Sequence, residues 1–177
     1  MKKNNLFLMF CLISFCSACS LFCKDDELSF GRIDHDMTKL KVHSGYYYGD
    51  STTSNGKIRV NHLCLYQNGI YYDLAGKEID ELFAKDLLLI DPYIQDSWGL
   101  FKLEGSSITI ESWTQLSVGC LTTFVEKGVV FNDSTFVITL REKYRNGRAS
   151  SPAQEVYKIY RFRASKNKPD STNNFIK

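Results

Sequence analysis

Between two strand-like apolar runs, 58–67 and 70–74, stands the dipeptide Asn68-Gly69. Asn and Gly reach positive φ at little cost, so the pair predicts a two-residue hairpin turn that ties its flanking runs into antiparallel partners. The rest of the chain follows the same pattern. Segments 97–103 and 108–116 flank a turn at 104–107, and the second alternates Ile108, Ile110 and Ser112 against Thr109, Glu111 and Trp113. In 135–144, Phe136, Ile138 and Leu140 share one face and Val137, Thr139 and Arg141 the other, as in a half-buried antiparallel strand. The aromatic run Tyr46-Tyr47-Tyr48, segment 120–126 and segment 155–163 continue the series, with Asn146-Gly147 and Pro152 marking another connection. About eight short strands at regular spacing predict an all-β fold, a small antiparallel barrel or sandwich. Closure into a barrel would remove exposed strand edges.

Three stretches depart from this pattern. In 76–92, Ile79, Leu82, Phe83, Leu87 and Ile90 recur at helical spacing with acids mostly opposite, so one short helix is expected, ended by Asp91-Pro92. Residues 87–90 also fit a buried strand. Segment 28–43 has a loose helical stripe of Phe30, Ile33, Met37 and Leu40 that Gly31 weakens. The polar segment 165–177 reads as a loosely ordered tail.

The beginning of the chain speaks about location. Lys2 and Lys3 precede the apolar run 6–15 and the small residues Ser17 and Ala18, the pattern of a secretory signal peptide at 1–18, too short to span a bilayer permanently. Cleavage after Ala18 would leave Cys19 first. The sequence Cys16-Ser17-Ala18-Cys19 resembles a bacterial lipobox, with Cys16 where the family usually has Leu. That resemblance implies lipidation of Cys19 and a membrane attachment through N-terminal acyl chains. Cys23 is the rival site, though Phe22 before it is bulky for the peptidase. The cluster Lys24-Asp25-Asp26-Glu27 resembles the surface-export signal of Bacteroidetes lipoproteins, displaced here to follow Cys23, and charged residues also make an ordinary solvated tether. The expected organisation is a signal peptide at 1–18, a lipid-anchored tether at 19–44, an antiparallel β domain at 45–164 and a tail at 165–177. Outer-membrane attachment is expected, with the cell surface as one leaflet.

Charge narrows the partners. Removing 1–18 takes two lysines from 22 basic residues set against 20 acidic, so the mature chain has no net formal charge and nucleic acid is not an expected partner. Arg141 to Lys177 nonetheless holds ten basic and three acidic residues. In an oxidising compartment Cys64 and Cys120, both in strand-like runs, could form a disulfide or remain as two buried thiols.

No motif assigns chemistry. His35, His43 and His62 lack metal-ligand spacing, and no G-x-S-x-G elbow positions a serine, so neither metal nor cofactor is expected. Asp80, Glu81, Asp86, Asp91 and Asp96 read as a solvated helix face before an acid/base pair. The tripeptide Asp-Ser-Thr recurs at Ser51, Ser134 and Ser171, resembling the O-glycosylation acceptor of secreted Bacteroidetes proteins, although these residues also favour turns. The strand aromatics Tyr46, Tyr48, Tyr66, Trp98, Trp113 and Tyr160 are candidate ligand-facing residues and suit a β core equally. The succession of aromatic strands, Asn-Gly hairpin, Trp98-Gly99 entry strand and polar ending resembles the small lipocalin-like lipoproteins of the Bacteroidetes, which implies a cup-shaped β domain. The expected function is a non-enzymatic, lipid-anchored binding module for a small apolar ligand, a glycan or a partner protein. The alternatives are an assembly accessory of an outer-membrane complex and an envelope-polymer hydrolase.

Overall fold

The computed structural model describes residues 24–35, 38–52, 58–74, 94–117, 120–166 and 168–177. The signal segment, Cys19, Cys23 and the helix expected at 76–92 lie outside the described residues. The strands are β1 Gly45–Thr52, β2 Ile58–Leu65, β3 Ile70–Asp73, β4 Trp98–Glu104, β5 Ser107–Ser117, β6 Cys120–Asn132, β7 Thr135–Arg145, β8 Arg148–Ala149 and β9 Gln154–Ala164. They form one antiparallel sheet in the order β6-β5-β4-β3-β2-β1-β9-β7-β8, and β6 also pairs with β7. The short β8 and the long β9 pair with β7 one after the other, so together they make a single interrupted strand. The sheet is therefore a closed eight-stranded barrel rather than a sandwich. Closure depends on β1 and β9, which join from Gly45↔Ala164 to Asp50↔Ile159.

Period-two alternation then sorts the side chains between two apolar clusters. Tyr47, Leu63, Leu65, Tyr71, Phe101, Ile108, Ile110, Phe136, Ile138 and Tyr160 fill the interior. Gly49 and Gly99 make room there, because a Cβ on either would stand 2.5 Å from the Tyr160 ring or 2.2 Å from the Tyr71 ring. The opposite faces of β1 to β5 carry Tyr46, Cys64, Ile70, Tyr72, Trp98, Leu100 and Trp113, which form a second cluster with Tyr66, just past β2, and Ile176. An apolar outer wall needs a cover, and the two ends of the described chain supply it. Leu28 and Phe30 from one end and Phe175 from the other pack against it. The segment read as a tether packs on this wall at Leu28 and Phe30, and the segment read as a loose tail docks because Phe175 and Ile176 are apolar.

The turns also refine the sequence reading. At the β2–β3 turn the Gly69 N–H donates to the Tyr66 carbonyl at 3.1 Å and the Tyr66 N–H to the Ile70 carbonyl at 2.9 Å. Gly69 has φ 75° while Asn68 is not in the left-handed region. This is a three-residue loop ending in a left-handed glycine, not the expected two-residue form. The two-residue form occurs at Asn146-Gly147, with φ 50° and 72°, where Arg145 pairs with Arg148.

One end of the barrel is closed by the segment that holds His35 and residues 38–42. Leu40 and Val42 enter the interior cluster, and the segment is held at three turns. His35 N–H donates to the Gln67 carbonyl at 3.0 Å, Lys39 Nζ to the Gly105 carbonyl at 2.8 Å, and Lys41 N–H to the Asp133 carbonyl at 2.8 Å. The His35 ring stacks on Phe101 with centroids 4.8 Å apart, and its Nε2 lies 3.0 Å from the Phe101 carbonyl oxygen. A carbonyl only accepts, so Nε2 carries the hydrogen.

Candidate ligand site at the open end of the barrel

Towards the other end the interior turns from apolar to polar. A cavity of about 360 Å³ opens there, floored by Leu63, Ile110, Tyr71 and Tyr160. Its walls carry Asn61, Asp73, Ser112 and Thr114 on one side and Glu126, Arg141 and Lys158 on the other, with Asp96 and Trp113 at the rim. The three charged residues of the second wall come from neighbouring strands β6, β7 and β9. Lys158 Nζ donates to Glu126 Oε1 at 2.6 Å, and Arg141 Nε lies 3.6 Å from the same oxygen. The Arg141 guanidinium also sits 4.1 Å from the Phe124 ring centre, a cation–π contact that leaves its edge free to meet a carboxylate.

Arg141 reaches this wall through a bulge. Gly128 pairs with Ile138 but Lys127 pairs with Leu140, so Thr139 is an extra residue, and the β7–β9 register shifts at the same place. A bulge re-aims the residues beyond it. Arg141 therefore joins Phe136 and Ile138 on the interior side, and the expectation that it shares a face with Val137 and Thr139 is corrected.

The tyrosines are neutral hydrogen-bonding groups. Burial first, and then the negative charge of Asp73, hold the Tyr71 hydroxyl well above its usual range, against a bond to Ser112 that lowers it. Burial likewise raises Tyr160, followed by the carboxylates of Glu126 and Asp73. The cavity thus offers two aromatic faces, hydroxyl and amide groups and both signs of charge, but little apolar wall. Among the described residues no group of three His, Cys, Asp or Glu could hold a metal ion. A second recess of about 480 Å³ lies between the Lys24–Gly31 arm and Phe175–Lys177. Chain ends build much of it, whereas the strands build the cavity at the mouth.

Of the six candidate aromatics, Tyr160 and Trp113 line the cavity. Tyr46, Tyr66 and Trp98 belong to the outer cluster, and Tyr48 packs beside it. The Trp113 indole donates to the Asp26 carbonyl at 2.7 Å, so it serves arm and rim together. Sequence reading missed Asn61, Asp73, Glu126, Arg141 and Lys158. Of the acidic cluster, Asp96 reaches the rim, and Asp80, Glu81, Asp86 and Asp91 lie outside the described residues. Ser134 bridges Asp133 and Lys41 at the β6–β7 turn, Ser171 Oγ is 3.1 Å from Asn68 Nδ2, and the Ser51 side chain lies outside the described residues.

Of the two readings of Cys64 and Cys120, a mutual bridge and two buried thiols, neither holds for both residues. Cys64 is a free thiol, fully buried on the outer wall of β2, and burial pushes it up to about 11, against the opposing charge of Lys168. Cys120 is disulfide-bonded to another residue. Strands β3, β4 and β5 stand between the two, and at about 4.8 Å per strand that separation far exceeds disulfide reach.

Comparison of the chain with protein-family models, curated proteins and solved structures finds no match.

Proposed function

We propose that this chain is a lipid-anchored envelope lipoprotein, acylated at Cys19, whose barrel mouth binds a small polar ligand, a glycan fragment, without transforming it. The observation that carries the reading is the composition of the mouth cavity: the Tyr71 and Tyr160 rings lie below a ring of carboxylate, ammonium, guanidinium, amide and hydroxyl groups. Sugars present that combination in reverse, with apolar C–H faces and edges of hydroxyls. An apolar ligand fits less well, because the interior beyond the tyrosines is filled by Tyr47, Phe101, Phe136, Leu40 and Val42.

The two tryptophans provide a built-in control. Trp113 rims the cavity and Trp98 is buried in the outer cluster. Titration with neutral, amino and acidic mono- and disaccharides is expected to shift the Trp113 indole N–H resonance and leave that of Trp98 in place. Equal movement of both, or of neither across the panel, contradicts the reading. Asp73, Asp96 and Glu126 share the cavity, which keeps a glycoside hydrolase as the second reading. New anomeric signals from an added disaccharide would favour it.

A further inference from the structure

The arm meets the barrel at its open end. Leu121, the second residue of β6, donates its N–H to Asp25 Oδ1 at 2.8 Å and accepts the Asp26 N–H at 3.0 Å. Leu121 pairs with Gln115, the neighbour of the cavity residue Thr114. Asp25, Cys120 and Leu121 share a recess with Asp96, which also lines the cavity. The chain is therefore already fixed to the rim at Asp25. From Cys19 to Asp25 are six residues, which extend to no more than about 21 Å. The barrel is taller than that, since strands of eleven residues tilted near 40° span ~28 Å along the axis.

Cys120 shortens the leash. It is disulfide-bonded and Cys64 is free, so its partner is one of Cys11, Cys16, Cys19 and Cys23. Signal cleavage removes the first two, and an acylated Cys19 has no thiol left to oxidise. Cys23 remains, two residues before the Asp25 that touches Leu121, the neighbour of Cys120.

We propose that a Cys23–Cys120 disulfide locks the arm to the rim and that the barrel stands mouth-down, its polar cavity opening onto the phosphate-bearing headgroups of the membrane. This rests on the lipid anchor at Cys19 proposed above. The bond forms as the two thiols give up two protons and two electrons to a disulfide donor of the oxidising envelope. With three residues between the lipid and the bridge, an inverted barrel would need more chain than it has. Lys143, Arg145 and Arg148 stand around the Asn146-Gly147 turn at the same end, Arg145 and Arg148 exposed, and they complement phosphates. A ligand held there would be taken from the membrane side.

The test uses the full lipidated chain in phosphatidylethanolamine–phosphatidylglycerol vesicles that contain a headgroup-nitroxide lipid. Ala149→Cys places a fluorophore at the mouth and Ser106→Cys places one at the plugged end, both at exposed positions. Cys64 is buried and does not compete for the label. Several-fold stronger quenching at Ala149 than at Ser106 is expected, and equal or reversed quenching overturns the orientation. Non-reducing peptide mapping should return Cys23 linked to Cys120, and a free or acylated Cys23 overturns the lock. Failure of the chain to float with the vesicles overturns the anchor itself, a result separate from the other two.

Discussion

Lys168 carries its ammonium into the outer wall, over the Tyr66 ring at 4.4 Å, where it donates to the carbonyls of Val42 and Leu65. Burial there lowers its pKa to about 8, with the Cys64 thiol opposing the shift. The folded state thus disfavours the charged form. The stability this group contributes is fully present above its ordinary value of 10.5 and is lost as pH falls through about 8. The stability of the wild type minus that of Lys168→Met is therefore expected to rise between pH 8 and pH 10.5, by up to about 3 kcal/mol. Chemical denaturation of both proteins across that range measures it, and the subtraction cancels the tyrosines common to both. A flat difference would show that the ammonium is not buried in the native state. Nothing in the polar run around Lys168 announces this role, because its acceptors are backbone carbonyls more than 100 residues away.

The arm is the element whose behaviour departs most from its sequence. Glu111 looks like a solvent-facing strand residue, yet it is fully buried, and its Oε2 accepts the Ser29 N–H at 2.7 Å and the Phe30 N–H at 3.3 Å. Burial raises its pKa, against those two bonds. Glu111→Ala removes the acceptor for both donors, which predicts a loss of about 1–3 kcal/mol and faster amide exchange confined to the arm. Hydrogen exchange read by mass spectrometry on the peptides around Ser29 and Phe30 would show it; unchanged exchange there would mean that the apolar contacts of Leu28 and Phe30 hold the arm alone. Elements with simple local rules were legible in the sequence. The strand periodicity and the Asn-Gly turns mark β2, β3 and β7, though the short β8 was read as part of a connection. The Thr139 bulge was not legible, since no residue type there demands one, and so Arg141 was read on the wrong face.

Across the whole molecule, the all-β class and the number of strands followed from periodicity, but closure rests on β1 meeting β9, a pairing between chain ends that no local signal encodes. The site depends on that closure twice. It brings the Glu126, Arg141 and Lys158 wall round to face Asn61 on β2 and Asp73 on β3, and it decides which apolar face of each strand becomes the interior. Both faces of β1, β3 and β4 carry aromatics, so sequence alone could not tell that Tyr46, Tyr66 and Trp98 turn outward beneath the termini while Tyr71 and Tyr160 line the mouth. Native mass spectrometry of the intact lipoprotein, released from the membranes of its own host, bears most directly on the claim that this mouth is a binding site. A discrete small mass that leaves on denaturation is the predicted result. A bare chain, or an adduct the size of a protein, would contradict it.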